Sequence, residues 1–297
     1  MFGRAGRVAG PRMTALWHVF PIPLAGFIGL AALAGLFVGG WLTRLTYRLP
    51  RMMEREWQAQ CLDAVGKARP PADYGLLAPP SHCPHCEAPV AGWRRLPLVG
   101  WLALRGRCGA CHGAIGWRYP AIELTTCVLF AACAWRFGAT PIALCAMGLS
   151  AALVALAWID LESTLLPDSI TLPLAWAGLL VNLFDAFTTL QLAVVGAVAG
   201  YLFLWVIFHA FRLLTGREGM GFGDFKLLAA LGAWFGVGAL PMLLLGASVV
   251  GVVIGGAQTL SGRASRGQAL PFGPYLALAG VVVLLLGGEQ GLNWLLR

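Results

Sequence analysis

A chain of 297 residues that is 59% hydrophobic and only 11% charged is too apolar for a soluble fold, where about a quarter of residues carry charge. A mean hydropathy of +0.75 excludes disordered, collagen-like and coiled-coil chains and leaves a polytopic membrane protein in a lipid bilayer. The formal net charge of +8 then marks a membrane face, not a nucleic-acid partner.

Residues 13–43 contain no Asp, Glu, Lys or Arg, more than the ~20 residues a crossing helix needs. Ala32-Leu33-Ala34 resembles a signal cleavage site, but the run is long for a signal core and ends in Trp41 and Arg44. A retained first span is predicted, closing an amino-terminal segment of residues 1–43. Residues 44–118 follow as a polar loop holding 11 of the 21 basic residues, together with Glu54, Glu56, Asp63, Asp73 and Glu87. Residues 119–297 carry seven more apolar runs, at about 120–137, 139–159, 169–185, 190–212, 224–240, 241–260 and 273–296. Glu123 interrupts the first of these near one end. Residues 227–262 are 36 uncharged residues in a row, ~54 Å as one helix against a ~30 Å hydrocarbon core. They must fold back, and Gly236, Gly238 and Pro241 mark the place. The expectation is an all-α polytopic protein of about eight transmembrane helices, since only helices or closed barrels satisfy their backbone in lipid.

Basic residues near helix ends set orientation. With the 44–118 loop in the cytoplasm, Arg212, Arg217, Arg263 and Arg266 also fall there by parity. Arg4, Arg7, Arg12, Arg136 and Arg297 fall outside, so fifteen positive charges against five decide the direction. Both termini are then outside, and Trp41, Trp117, Trp135, Trp158, Trp234 and Trp294 sit near the predicted membrane boundaries.

Inside the loop, Cys83-Pro84-His85-Cys86 and Cys108-Gly109-Ala110-Cys111 are two CxxC turns separated by 21 residues. Each turn lets two thiolates meet one ion, and two turns complete a tetrahedral site of four cysteines. Disulfides or a redox motif are the other readings, although a cytoplasmic loop is a reducing place. Structural zinc in a zinc-ribbon-like loop is expected on Cys83, Cys86, Cys108 and Cys111. His82, His85 and His112 flank the turns as substitute ligands or as plain polar neighbours. Cys127, Cys133 and Cys145 read as small packing residues, and Cys61 has no nearby partner.

Ionisable groups at membrane depth are functional suspects: here Glu123, Asp160, Asp168, Asp185 and Asp224. Asp160 ends the apolar run Ala155-Leu156-Ala157-Trp158-Ile159. Asp224 follows Gly219-Met220-Gly221-Phe222-Gly223 and opens another apolar run. The topology places both at cytoplasmic helix ends. Two carboxyls sharing a partly dry site do not both ionise, so one can take a proton from water while the other gives one to a carbonyl or leaving amine. That is aspartic-peptidase chemistry; taken singly, each residue also reads as a helix-end charge. Gly221 and Gly223 would allow a substrate backbone to come close. Asp168 is expected as an N-cap of the fourth span. Asp185 lies at the far end of that span, outside the site. No HExxH, GxSxG or SxxK is present, and the glycine run lacks the strand a dinucleotide loop requires. A proton- or cation-coupled transporter is the rival from another class, since it too uses intramembrane Asp residues. It leaves the cysteine turns unexplained and puts the carboxylates away from the midplane where transporters bind.

These segments closely resemble the bacterial prepilin peptidases, the bifunctional type IV leader peptidase/N-methyltransferases and a group of GxGD intramembrane aspartic peptidases. The resemblance runs through Tyr47-Arg48-Leu49-Pro50, Met52-Met53-Glu54-Arg55-Glu56-Trp57, both CxxC pairs and Arg118-Tyr119-Pro120. It continues in Ile159-Asp160-Leu161-Glu162, Leu165-Leu166-Pro167-Asp168, Thr215 to Lys226 and Pro271-Phe272-Gly273-Pro274-Tyr275. It implies Asp160 and Asp224 as the catalytic pair of an inner-membrane enzyme. The implied substrates are prepilins and pseudopilins with basic leaders, cut on the cytoplasmic side after a glycine. It further implies methylation of the new amino terminus with S-adenosylmethionine. The amino-terminal part with its large loop is the region implied for methylation, and Glu54 and Glu123 are its candidate residues. One departure falls in that region: Gly40-Trp41-Leu42-Thr43-Arg44 stands where such enzymes usually have Gly-Ser-Phe-Leu-Asn.

Overall fold

The computed structural model describes residues 23–67, 74–78, 80, 82, 83, 85–90, 92–216, 220–261 and 271–287. The amino-terminal arginines, Arg217, Gly219, Arg263, Arg266, Trp294 and Arg297, on which parts of the predicted orientation and glycine run rest, lie outside these residues.

Helices dominate. Among the described residues the only β-pairing is two isolated bridges. The helices are α1 (Leu24–Ala64), α2 (Val99–Ala103), α3 (Arg118–Phe137), α4 (Pro141–Ser163), α5 (Asp168–Asn182), α6 (Leu190–Thr215), α7 (Phe222–Phe235), α8 (Leu240–Leu260) and α9 (Gly273–Leu286). Each predicted apolar run contains a helix, with residues 288–296 of the last run outside the described residues; the expected eight membrane crossings are not thereby established. Five segments are long and apolar enough to cross a membrane: α1, α3, α4, α6 and Val237–Thr259. α5, α7 and α9, with 15, 14 and 14 residues, extend only roughly 21–23 Å at 1.5 Å per residue.

The first helix does not stop at Thr43 as predicted. It continues through the polar residues to Ala64, 41 residues in all, with Pro50 inside it. Nothing between 44 and 64 except Pro50 opposes a helix, and a charged helix is stable once it has left lipid. Elsewhere the starts and stops are local. Thr140 and Thr189 cap α4 and α6 by accepting from the N–H groups of Ala143 and Leu192. The 227–262 run breaks where expected, at Gly236, whose φ of +79° suits a residue without Cβ.

Two compact units result. One is Ala25–Trp135, with α1, the cysteine loop and most of α3; the other contains Arg136 onward. In the first unit, Gly35 and Gly39 of α1 lie against the backbone of α3, where an added Cβ would come within 2.8 Å of Cys127 Cα and 2.7 Å of Glu123 Cα. This is small-residue packing at four-residue spacing, which lets membrane helices approach closely. The second unit repeats it: Gly196 and Gly200 of α6 pack on α7 at Gly232 and Leu228.

α7 is the central helix of the second unit, packed by α5, α6 and α9. Nine of its 14 residues are buried, so its all-round apolarity serves the protein interior. Its last carbonyls are received by a buried side chain. Asn182 Nδ2 donates to Ala233 O and Trp234 O at 2.9 and 3.0 Å, while its Oδ1 accepts from the N–H groups of Phe187 and Thr188. All of its hydrogen-bonding groups are used, as burial at 0% exposure demands.

Candidate functional site

Asp160 lies in the last turn of α4 and Asp224 in the first turn of α7. Both are buried, at 4% and 6% exposure. α4 ends there because Thr164 adopts the left-handed conformation and returns its N–H to the Asp160 carbonyl. α7 begins there because Gly221 stays extended just before it. The two side chains lie within reach of one another's charge. Asp160 Oδ2 and Asp224 Oδ1 are both buried without a hydrogen-bond partner among the described residues. Stable folds rarely leave buried carboxylate oxygens unpaired, and two together point to a group that enters from outside.

The wall around the pair is close. Gly273 at the start of α9 stands against the Asp160 carboxylate, and the Asp224 N–H donates to Gly221 O at 3.3 Å. A Cβ on Gly273 would sit 2.6 Å from Asp160 Oδ2, and one on Gly223 would sit 2.6 Å from Leu166 Cβ. Leu166 therefore fills the space that Gly223 leaves, while Gly221 is exposed beside the Asp224 carboxylate. Gly273→Ala is expected to displace the Asp160 carboxylate and lower turnover ~10²-fold, the scale of an ångström misplacement. Peptide-cleavage kinetics on protein of normal yield and helicity would show it; turnover within twofold of the parent would refute the contact.

Asp168 corrects an expectation. It is the first residue of α5, not its N-cap, and Pro167 at the cap position makes no side-chain bond. The Asp168 carboxylate instead accepts from Lys226 Nζ at 2.7 Å through both oxygens. A full positive charge outcompetes a backbone N–H for an exposed carboxylate, and the pair ties the starts of α5 and α7 together. Asp185 is exposed, at φ +51°, beyond the other end of α5.

The cysteine loop, in the other unit, is built from two copies of one turn. Cys83 N–H donates to Ala88 O and Cys108 N–H to Gly113 O; Glu87 and His112 return their N–H groups to the carbonyls of Cys83 and Cys108. Both Glu87 and His112 adopt positive φ, at +55° and +57°. Isolated bridges His82–Pro89 and Arg107–Ala114 close the two turns. Facing each other, the turns bring the sulfurs of Cys83, Cys86, Cys108 and Cys111 within 4.8 Å of one another. The Cys83–Cys111 and Cys86–Cys108 separations are 3.9 Å. That is far beyond an S–S bond of about 2.05 Å. It matches the sulfur–sulfur edge of about 3.8 Å for a tetrahedron with 2.3 Å metal–sulfur bonds. The N–H groups of His85 and Ala110 point to Cys83 and Cys108 Sγ at 3.5 and 3.4 Å. Backbone N–H groups of Cys111 and Ala110 pull the Cys108 thiol below its ordinary value, while, despite the Ala88 N–H, the surrounding thiols push Cys86 up; a cation among the four sulfurs would favour the thiolate of each. The donor set fits zinc. His82 bonds the Pro80 carbonyl, and the His85 ring and Cys111 Sγ both border Gly113.

Of the two glutamates named for the amino-terminal region, Glu54 is exposed on α1. Glu123 is buried at 8% exposure, and its Oε2 accepts from the Leu98 N–H at 2.7 Å. Sequence reasoning singled out the aspartates as candidates but missed the Gly273 contact and the Asn182 bracket. The Pro271-Phe272-Gly273-Pro274 stretch was the available signal for the first; a lone Asn in an apolar run was the only one for the second.

Residues 147–256 match the model of the type IV leader peptidase family, and residues 33–137 match that of the bacterial peptidase A24 N-terminal domain. A prepilin leader peptidase/N-methyltransferase of Stutzerimonas stutzeri is 45% identical over 285 residues, covering 95% of this chain and 98% of that protein. Proteins of the same name from Aeromonas hydrophila and Pseudomonas aeruginosa are 48% and 47% identical, covering 88% and 93% of this chain and 91% and 96% of theirs. No solved structure matches the chain significantly.

Proposed function

The chain belongs to the type IV leader peptidase family, and on that premise we propose that it removes the basic leader of prepilins or pseudopilins and then N-methylates the exposed amino terminus. The observation that carries the peptidase half is the pair of buried, unpartnered oxygens on Asp160 and Asp224. In this reading a water is held between the two carboxyls. The ionised member takes its proton as the oxygen attacks the scissile carbonyl, and the protonated member donates its own to the carbonyl oxygen, giving a gem-diol. The carboxyl that took the water proton then passes it to the leaving amine as the C–N bond breaks, and the other recovers a proton from the gem-diol hydroxyl. The substrate backbone passes at Gly221, where no side chain stands between it and Asp224. Lys226, fixed by Asp168, holds the first turn of α7 in place. The reaction takes place at the cytoplasmic face of an inner membrane, where the positive charges of the chain collect. A transporter role finds no support in the family matched.

The Cys83, Cys86, Cys108 and Cys111 cluster holds a structural zinc. Four protein ligands close its coordination, so the ion braces the loop and takes no substrate. For the second activity, S-adenosylmethionine supplies an electrophilic methyl group when bound. The new amino terminus must be neutral, so that its lone pair forms the N–C bond as the S–C bond breaks; the proton it sheds passes to water.

A single assay tests both halves: purified chain in detergent, a prepilin peptide with its leader, and mass measurement of the product with and without S-adenosylmethionine. Expected are a product shortened by the leader in both cases and one methyl group heavier only with the donor. An uncut peptide would overturn the peptidase reading, and a cut but unmethylated one the transferase reading.

A further inference from the structure

The Ala25–Trp135 unit contains a cavity of about 500 Å³, bounded by α1, the cysteine turns, the α2 region and the start of α3. That lies in the ~300–1,000 Å³ range of small-molecule sites. Its walls combine three kinds of group. Trp41, Trp101 and Tyr119 offer aromatic surface, Arg44 a guanidinium, and Glu123 a carboxylate.

Glu123 is the informative residue. It is more than nine-tenths buried, yet its hydrogen bond among the described residues, from the Leu98 N–H, uses only Oε2. Leu98 makes that bond from a φ of +56°, a conformation that costs a branched residue energy and persists only where surroundings enforce it. Oε1 remains on the cavity side, 3.7 Å from where a Gly40 Cβ would stand. A buried carboxylate with one oxygen turned into a cavity calls for a cationic or donor group to meet it. Three neighbouring arginines bond backbone or hydroxyl oxygens: Arg48 the carbonyls of Gly75 and Leu76, Arg95 that of Val90, and Arg118 Thr46 Oγ1.

We propose that this cavity is the methyl-donor site, binding S-adenosylmethionine with its ammonium on Glu123, its carboxylate toward Arg44 and its adenine against the aromatic wall. The assignment rests on the methyltransferase reading above and supplies the residues for it. A ligand with a carboxylate, an ammonium, a sulfonium and a flat heterocycle matches a cavity that offers a guanidinium, a buried carboxylate and several rings, which also favour a sulfonium by cation–π attraction. An acyl chain would leave Glu123 desolvated and unpaired, so a lipid is the poorer occupant. Cys83 and Cys108 line the same cavity, so the zinc-braced turns form one of its walls.

The test uses the full chain in detergent with no prepilin present. Equilibrium binding of radiolabelled S-adenosylmethionine is compared with that of Glu123→Gln, which keeps an acceptor for the Leu98 N–H but removes the charge. At least a tenfold weaker Kd is expected. In parallel, 8-azido-S-adenosylmethionine is photolysed on the unaltered chain and the labelled peptides are mapped, with S-adenosylhomocysteine as protecting competitor. Label between residues 37 and 123, lost with the competitor, supports the site even if the variant fails to fold. Equal affinity of a folded Glu123→Gln protein, or label confined to residues 136–297, overturns it while leaving the methyltransferase reading intact. A chain that neither binds the donor nor methylates a cleaved peptide overturns both.

Discussion

Asp160→Asn and Asp224→Asn are each expected to lower leader cleavage roughly 10²–10⁴-fold, the range of positioned acid–base catalysis, while the protein still inserts and accumulates. Asn has the shape of Asp but neither takes a proton from water nor delivers one to a carbonyl. The change lands on groups with little other work: Asp160 Oδ2 and Asp224 Oδ1 have no hydrogen-bond partner to lose among the described residues. Stability should hold or rise, because a buried carboxylate beside another is costly to keep. The double variant should be no slower than the worse single one, since residues that act as a unit are not additive. Single-turnover cleavage of a prepilin peptide, with yield and thermal unfolding measured beside it, separates these outcomes. Either variant cleaving at the parent rate would remove the aspartic mechanism.

The second large effect is expected at the cysteine turns. Purified, reduced protein should hold about one zinc per chain, and Cys→Ser at Cys83, Cys86, Cys108 and Cys111 together should reduce this to none. The loop should then lose its order, because between Val65 and Trp117 the described residues have few elements of their own: a 3-10 turn at Gly92–Arg95, the five-residue α2 and the bridged turns the sulfurs join. Four thiolates within 4.8 Å share their charge comfortably only around a cation. Limited proteolysis would cut the variant in this loop well before the parent, and S-adenosylmethionine binding would fall with it. Metal analysis finding no zinc in the parent, or a quadruple variant as protease-resistant as the parent, would refute the assignment.

How much of this is legible in the residues depends on the range of each signal. The apolar runs, the Gly236 break and the Thr140 cap are read within a few residues, and each has its helix or turn. The CxxC spacing foretells four clustered sulfurs because a two-residue turn constrains both of its thiols. Asp168 departs from its local cue for an instructive reason. The pattern of an N-cap is sound, but the partner Lys226 is 58 residues away and carries a full charge. The extension of α1 to Ala64 escapes hydropathy, which marks where lipid ends, not where hydrogen bonding does.

By itself, then, the sequence determined that this is a multi-helix membrane protein of the leader peptidase family, and it singled out two aspartates and four cysteines as candidates for its chemistry. Composition and short-range pattern suffice for that, since they act through neighbours in the chain. Only the tertiary structure decided that α7 is a short, buried core helix, that Gly273 stands against Asp160 and Asn182 closes α7, and that Glu123 faces a cavity walled by the cysteine turns. Those relations join segments tens to more than a hundred residues apart. Close packing, with glycines admitting backbone against backbone, sets them, and no local periodicity encodes them.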